Sequence, residues 1–141
     1  MNRIVSVEIV GKYYPMSFSL MAAKKVAQKH GNIEKMLEGI NGSGGTTDKT
    51  IDEVVGLLEL LISQGCAYKN YFEKDVPVND TDPVIDGKWT PLPREALEIA
   101  VGIGDLDYLS DKIAECVNGS QKKEIEAKEI VTKGKEEAGQ A

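Results

Sequence analysis

Few residues in this chain have the types or the spacing for chemistry. Its 141 residues hold one histidine, His30, and two cysteines, Cys66 and Cys116. His30 precedes Gly31 at what reads as a helix end, where an imidazolium favours the dipole. Spacing fixes no serine, cysteine or carboxylate beside it, so a capping role is expected rather than catalysis. Each cysteine falls inside a helical apolar pattern, which reads as a buried, reduced thiol rather than half of a disulfide or a metal pair. The aspartates of segment 80–86 invite a calcium reading, and it fails in both frames. With Asp80 first, Val84 takes a ligand position and Ile85 stands where the EF-hand needs glycine. With Asp82 first, Gly87 fits but Val84 and Pro93 occupy ligand positions. Gly42-Ser43-Gly44-Gly45 lacks the Lys-Ser/Thr of a phosphate loop, and H-E-x-x-H, C-x-x-C and G-x-S-x-G are missing from the sequence. The sequence therefore argues against an enzyme and implies no cofactor and no metal.

Charge narrows the partners. A net charge of −6 and a pI near 4.9 leave no basic face for a phosphate backbone or an anionic membrane, so no nucleic acid and no membrane are expected. No basic-plus-apolar leader opens the chain; Met1-Asn2-Arg3 runs straight into a strand pattern, and export is not expected.

The elements around these residues are organised by one stretch, Thr50–Asp75. Thr50 and Glu53 form a T-x-x-E capping box that predicts a helix from Ile51. Ile51, Val54, Val55, Leu58, Ile62 and Gly65 form one row, continued by Lys69 and Phe72. Leu57, Leu60, Leu61, Tyr68 and Tyr71 form a second. Two apolar rows require partners on two sides, so this is a central core helix, about 35 Å long at 1.5 Å per residue. Glu53, Glu59, Gln64 and Lys69 interrupt the run too often for a membrane span.

Arg3–Phe18 reads as a β-hairpin with a two-residue turn at Gly11-Lys12, placing Val5, Val7, Ile9, Tyr14, Met16 and Phe18 on one apolar face. Ser6, Glu8 and Ser17 fall on the other. Pro15 cannot donate to a ladder, so its strand is expected to be an edge or to end early. Ser19 caps a helix with a stripe of Leu20, Ala23, Val26, Ala27 and His30, closed by Gly31, and Lys24, Lys25 and Lys29 on its solvated side. Asn32 caps a short helix with Ile33, Met36, Leu37 and Ile40 on its stripe. A flexible loop, 41–49, precedes the central helix and a long loop, 76–92, follows it, with a turn at Asp86-Gly87. Trp89, in that loop, reads first as an anchor and second as a partner-facing residue. Pro91 and Pro93 start a helix carrying Leu97, Ala100 and Val101. Asp105 caps the last, with a stripe of Leu106, Leu109, Ile113, Cys116 and Val117 ending at Gly119. The fold class is α+β, mostly helical: an N-terminal hairpin and about five helices in one domain, 1–119, with an exposed, charged, flexible tail at 120–141.

Residues 22–40 also approximate a helix-turn-helix, which would make the chain a DNA-binding regulator. Against it, His30 and Asn32 stand at apolar positions of that motif, and Glu34 and Glu38 outweigh Lys35 on the would-be recognition helix.

The stretches VEIVGKYYPMSFSL, AQKHG, ISQGCAYKNYFEKDVP and IDGKWTPLPREALEIAVGI resemble tail assembly chaperones of long-tailed, siphovirus-type bacteriophages and of prophages of Gram-positive bacteria. The likeness covers residues 3–118. It implies a non-catalytic protein of the bacterial host cytoplasm that binds the tape measure protein and the major tail tube protein during virion assembly and is absent from the mature virion. A structural tail or connector subunit is the other reading in that setting, and homo-oligomerisation is left open. Aromatics supply the most binding energy from a small contact. Tyr68, Tyr71, Phe72 and Trp89, with the free edge of the hairpin, are therefore the expected protein-binding surface.

Overall fold

The computed structural model describes residues 4–31 and 48–133. The expected short helix at 32–40, the second half of the helix-turn-helix reading and residues 41–47 of the expected loop lie outside them, as do the last eight residues. Strands β1 (Val5–Ile9) and β2 (Lys12–Met16) form the hairpin. Helix α1 (Leu20–His30) precedes the central helix α2 (Asp48–Phe72). Strands β3 (Val84–Ile85) and β4 (Lys88–Trp89) form a small second hairpin, and helices α3 (Arg94–Ala100) and α4 (Leu106–Lys133) follow, with a 3-10 turn at Ile103–Asp105 between them. The class is α+β, with four α-helices among the described residues where about five were expected.

Proline sets the register of the first hairpin. Its turn is Val10-Gly11, with φ of 49° and 80°, not Gly11-Lys12, and Val7 pairs with Tyr14 and Ser6 with Pro15. The expected register would place Pro15 at a hydrogen-bonded position, where its missing N–H would cost a ladder bond. In the observed one the Pro15 nitrogen points away from β1 and no ladder bond is lost, while the residue itself is buried, although Val10 must adopt a conformation uncommon for a β-branched residue. A two-residue slip leaves every side chain on its original face. Val7, Ile9, Tyr14, Met16 and Phe18 are accordingly buried and Val5 packs on them. Ser17, assigned to the outer face, is buried instead, because its amide donates to the Leu61 carbonyl of α2 at 3.0 Å.

The hairpin lies on α2 and α4, and the closest approach is at Gly65. A Cβ there would fall inside the Pro15 carbonyl group and 2.8 Å from the Met16 nitrogen. Val54, Leu58, Leu61 and Ile62 of α2 are fully enclosed between the hairpin and α4, which contributes Leu109, Ile113, Cys116 and Val117 as its periodicity predicts. Leu97 fills the core from α3, while Ala100 and Val101 pack at its border.

Several boundaries move. Helix α2 starts at Asp48, so Thr50 is a buried residue of its first turn rather than its cap, and positions 48 and 49 belong to the helix. The Asp48 carboxylate suits the positive end of the dipole. The buried stripe of α1 is Ala22 and Val26, leaving Leu20 exposed. Ser19 fixes this rotation: its hydroxyl accepts from the Ala22 amide at 3.0 Å and donates to Gln64 Oε1 at 2.6 Å. Gly119 does not stop α4, which continues to Lys133. An interior glycine costs about 1 kcal/mol, which the strong helix formers of 121–129 offset.

Gly65→Ala is expected to destabilise the protein by about 3 kcal/mol or more, because backbone rather than a movable side chain occupies the space. The better helix propensity of alanine offsets only about 1 kcal/mol of that. Urea denaturation of the two proteins checks it; equal midpoints would show that α2 and β2 are not so closely packed.

Candidate functional site

The buried part of α2 ends at Cys66, and its last turn carries aromatics outward. Tyr71 and Phe72 are 75% and 73% exposed and Tyr68 is 37% exposed. Phe72 joins the three, with ring centroids 5.2 Å from Tyr68 and 6.0 Å from Tyr71, both tilted. Tyr71 also lines a groove of about 760 Å³ between the end of α2, the extended chain at 76–78 and the second hairpin. Trp89 lines the same groove, so the structure brings these two expected residues together, while Tyr68 and Phe72 flank it outside.

Trp89 is an anchor first. It is half-buried and packs on the core, opposite Val84 across a turn whose Asp86 and Gly87 have φ of 54° and 78°. Asn70 holds it by the backbone: the Asn70 amide donates to the Trp89 carbonyl at 3.0 Å, and its Oδ1 accepts from the Trp89 amide at 2.9 Å. One side chain thus does what a neighbouring strand would do for β4. Lys69 Nζ lies 5.2 Å from the centre of the indole ring while paired with Glu73 at 2.8 Å. Nothing in the sequence ties Asn70 to a residue 19 positions on, and this is the site residue that sequence reasoning missed. Val76 and Val78, half exposed in the groove wall, lie in the long loop, where no periodicity marks them.

The edge of the first hairpin does not join this surface. The outward amides of Tyr13 on β2 and of Ser17 just after it donate to the carbonyls of Thr81, at 2.9 Å, and Leu61, and Pro15 between them has none. On β1 the Glu8 amide donates to the Tyr108 hydroxyl at 3.0 Å. Hydrogen bonds within the chain therefore engage both edges.

The titratable groups in the interior are quiet. Burial pushes the Cys66 thiol up to about 12. Cys116 rises to about 12 as well, chiefly through burial; the Phe18 amide works against the rise and Glu115 adds to it. Burial, with Cys66 nearby, also raises Tyr14. Neither thiol is a nucleophile near neutral pH. Among the described residues no group of three or more His, Cys, Asp or Glu could hold a metal ion, and no helix is long and apolar enough to cross a membrane.

Two outcomes follow from this geometry. Asn70→Ala removes both bonds to Trp89, so hydrogen exchange at the Trp89 amide should accelerate and the fluorescence of the sole tryptophan should shift red, with the global melt only modestly lowered. Unchanged exchange would mean that the ladder to β3 alone holds β4. The buried thiols stay protonated in the fold beyond 9.0, where they ionise when exposed, so the unfolded chain releases its protons first. Their contribution is constant below about pH 9 and is lost as pH rises toward about 12. Urea midpoints across that range should fall, and Cys66→Ala with Cys116→Ala should flatten the fall.

Compared with family models, with curated proteins and with solved structures, the chain matches none.

Proposed function

We propose that this chain is a tail assembly chaperone of a long-tailed phage or prophage, a non-catalytic protein that works by binding other proteins. The observation that carries the reading is the aromatic end of α2. Tyr68, Tyr71 and Phe72 project from the last turns of a core helix, beside a groove floored by Trp89. Large aromatics in solvent contribute little to folding, and grouped at a groove they mark a contact site. Their partners, in this reading, are apolar segments of the tape measure protein and the major tail tube protein. They are held soluble in the bacterial host cytoplasm until the tube forms, and the chaperone is absent from the mature virion. The resemblance of residues 3–118 supports that setting, and the acidic chain supports a partner other than nucleic acid.

The test is co-expression with fragments of the tape measure protein and with the tail tube protein of the same genome, reading the solubility of each. Wild type should keep them soluble. Tyr71→Ala and Phe72→Ala should lose that effect with an unchanged circular dichroism melt, since both side chains are exposed. A folded wild type that neither binds nor solubilises either protein would sink the assignment. Finding the chain in purified virions by mass spectrometry would move it to the structural subunits.

A further inference from the structure

The groove at the aromatic end of α2 reverses the sign of the chain around it. The chain carries a net charge of −6, yet Lys69, Lys74 and Lys88 line the groove against two carboxylates, Glu73 and Asp75. Several of its polar groups are already committed. Lys69 is paired with Glu73 at 2.8 Å, and in the last turn of α2 it also offsets the negative end of the helix. Both ends of the Asn70 amide are engaged by the Trp89 backbone. Lys74, Asp75 and Lys88 are exposed, and among the described residues none of them has an ion-pair partner. Two uncommitted ammonium groups thus stand against one uncommitted carboxylate.

The two lysines belong to opposite walls. Lys74 follows the end of α2 at Phe72, and Lys88 opens β4. Between them the lining is apolar, with Tyr71, Val76, Val78, Val84 and Trp89. A volume of about 760 Å³ lies in the range of sites that enclose a drug-sized ligand, so it suits a short run of side chains and not a folded domain. A hydrated polyanion gains nothing from such a lining, and the acidic chain as a whole repels it. A carboxylate on an otherwise apolar segment gains twice. Its neighbours are buried against Trp89 and Val84 while it meets a lysine from either wall. We propose that the groove takes an apolar peptide segment bearing a side-chain carboxylate, and that Lys74 and Lys88 select for that charge. Asp75, next to Lys74, repels a second carboxylate, so a single acidic residue is favoured over a run of them. The inference rests on the reading of this groove as the contact site and adds the charge that the bound segment carries.

Trp89 is the sole tryptophan, so its emission reports occupancy of the groove. The probes are short peptides without tryptophan, N-acetylated and C-amidated so that only side chains carry charge. One set has random sequence and the other tiles the tape measure and tail tube proteins of the same genome. Random peptides that bind the full chain should combine apolar residues with one aspartate or glutamate. Changing that residue to asparagine or glutamine should weaken them about threefold or more at low salt, and added salt should narrow the gap. Lys74→Glu with Lys88→Glu, both at exposed positions, should keep the wild-type melt and prefer the lysine counterpart of the same peptide. A merely structural role would not give that reversal. Random peptides that bind without a charge preference, or do not bind at all, overturn the proposal, as does a double variant that still prefers the carboxylate. Acidic random peptides that bind while no phage tile does would uphold the groove chemistry and remove the chaperone reading. Tiles that bind equally with and without their carboxylate would do the reverse.

Discussion

The fold depends on a backbone-to-backbone contact: the Pro15 carbonyl of β2 sits where a side chain on Gly65 of α2 would be. Only hydrogen at that position lets the helix reach the strand, and the contact is reinforced one turn earlier by the bond from the Ser17 amide to the Leu61 carbonyl. With β2 seated directly on the helix, the hairpin presents Val7, Tyr14 and Met16 to a core only one layer deep. Helix α4 then closes the other side with Leu109, Ile113 and Val117. A two-stranded sheet is marginal in water. Here it persists because one face is buried on helices and its edges are engaged by Thr81, Leu61 and Tyr108.

Periodicity made the long elements legible. The stripes of α2 and α4 and the apolar face of the hairpin were readable because burial follows spacing of 3.6 or 2 residues. What escaped was set by single residues acting across long separations. The turn position follows from Pro15, whose donorless nitrogen must point away from β1. The stripe of α1 turned by one position because Ser19 answers to Gln64, 45 residues away. Gly119 looked like a stop and is an interior residue, since a glycine ends a helix only where the following sequence favours leaving it.

The candidate site divided along the same line. Exposed aromatics in the last turns of α2 could be picked from composition and position, and Trp89 could be placed in the long loop. Which of them share a groove could not, because that depends on Asn70 bringing β4 against the helix end. The hairpin edge, expected to be free, is met by hydrogen bonds within the chain for a related reason. Sequence shows an edge strand but not the loop carbonyl that comes to meet it.

The 76–92 connection is stitched to the rest of the molecule at two places. At its middle, the carbonyls of Asp80 and Thr81 accept from the Lys12 side chain and the Tyr13 amide; at its end, Asn70 grips Trp89. One groove wall therefore hangs between the tip of the N-terminal hairpin and the last turns of the central helix, like a strap with two buckles. The spatial phase of β2, chosen by Pro15 and carried by the strained Val10 turn, is handed through Tyr13 to a groove some seventy residues later in the chain. Any slip of that strand would move a buckle and change the tension of the strap, so the shape offered to a ligand is inherited from the geometry of the first turn.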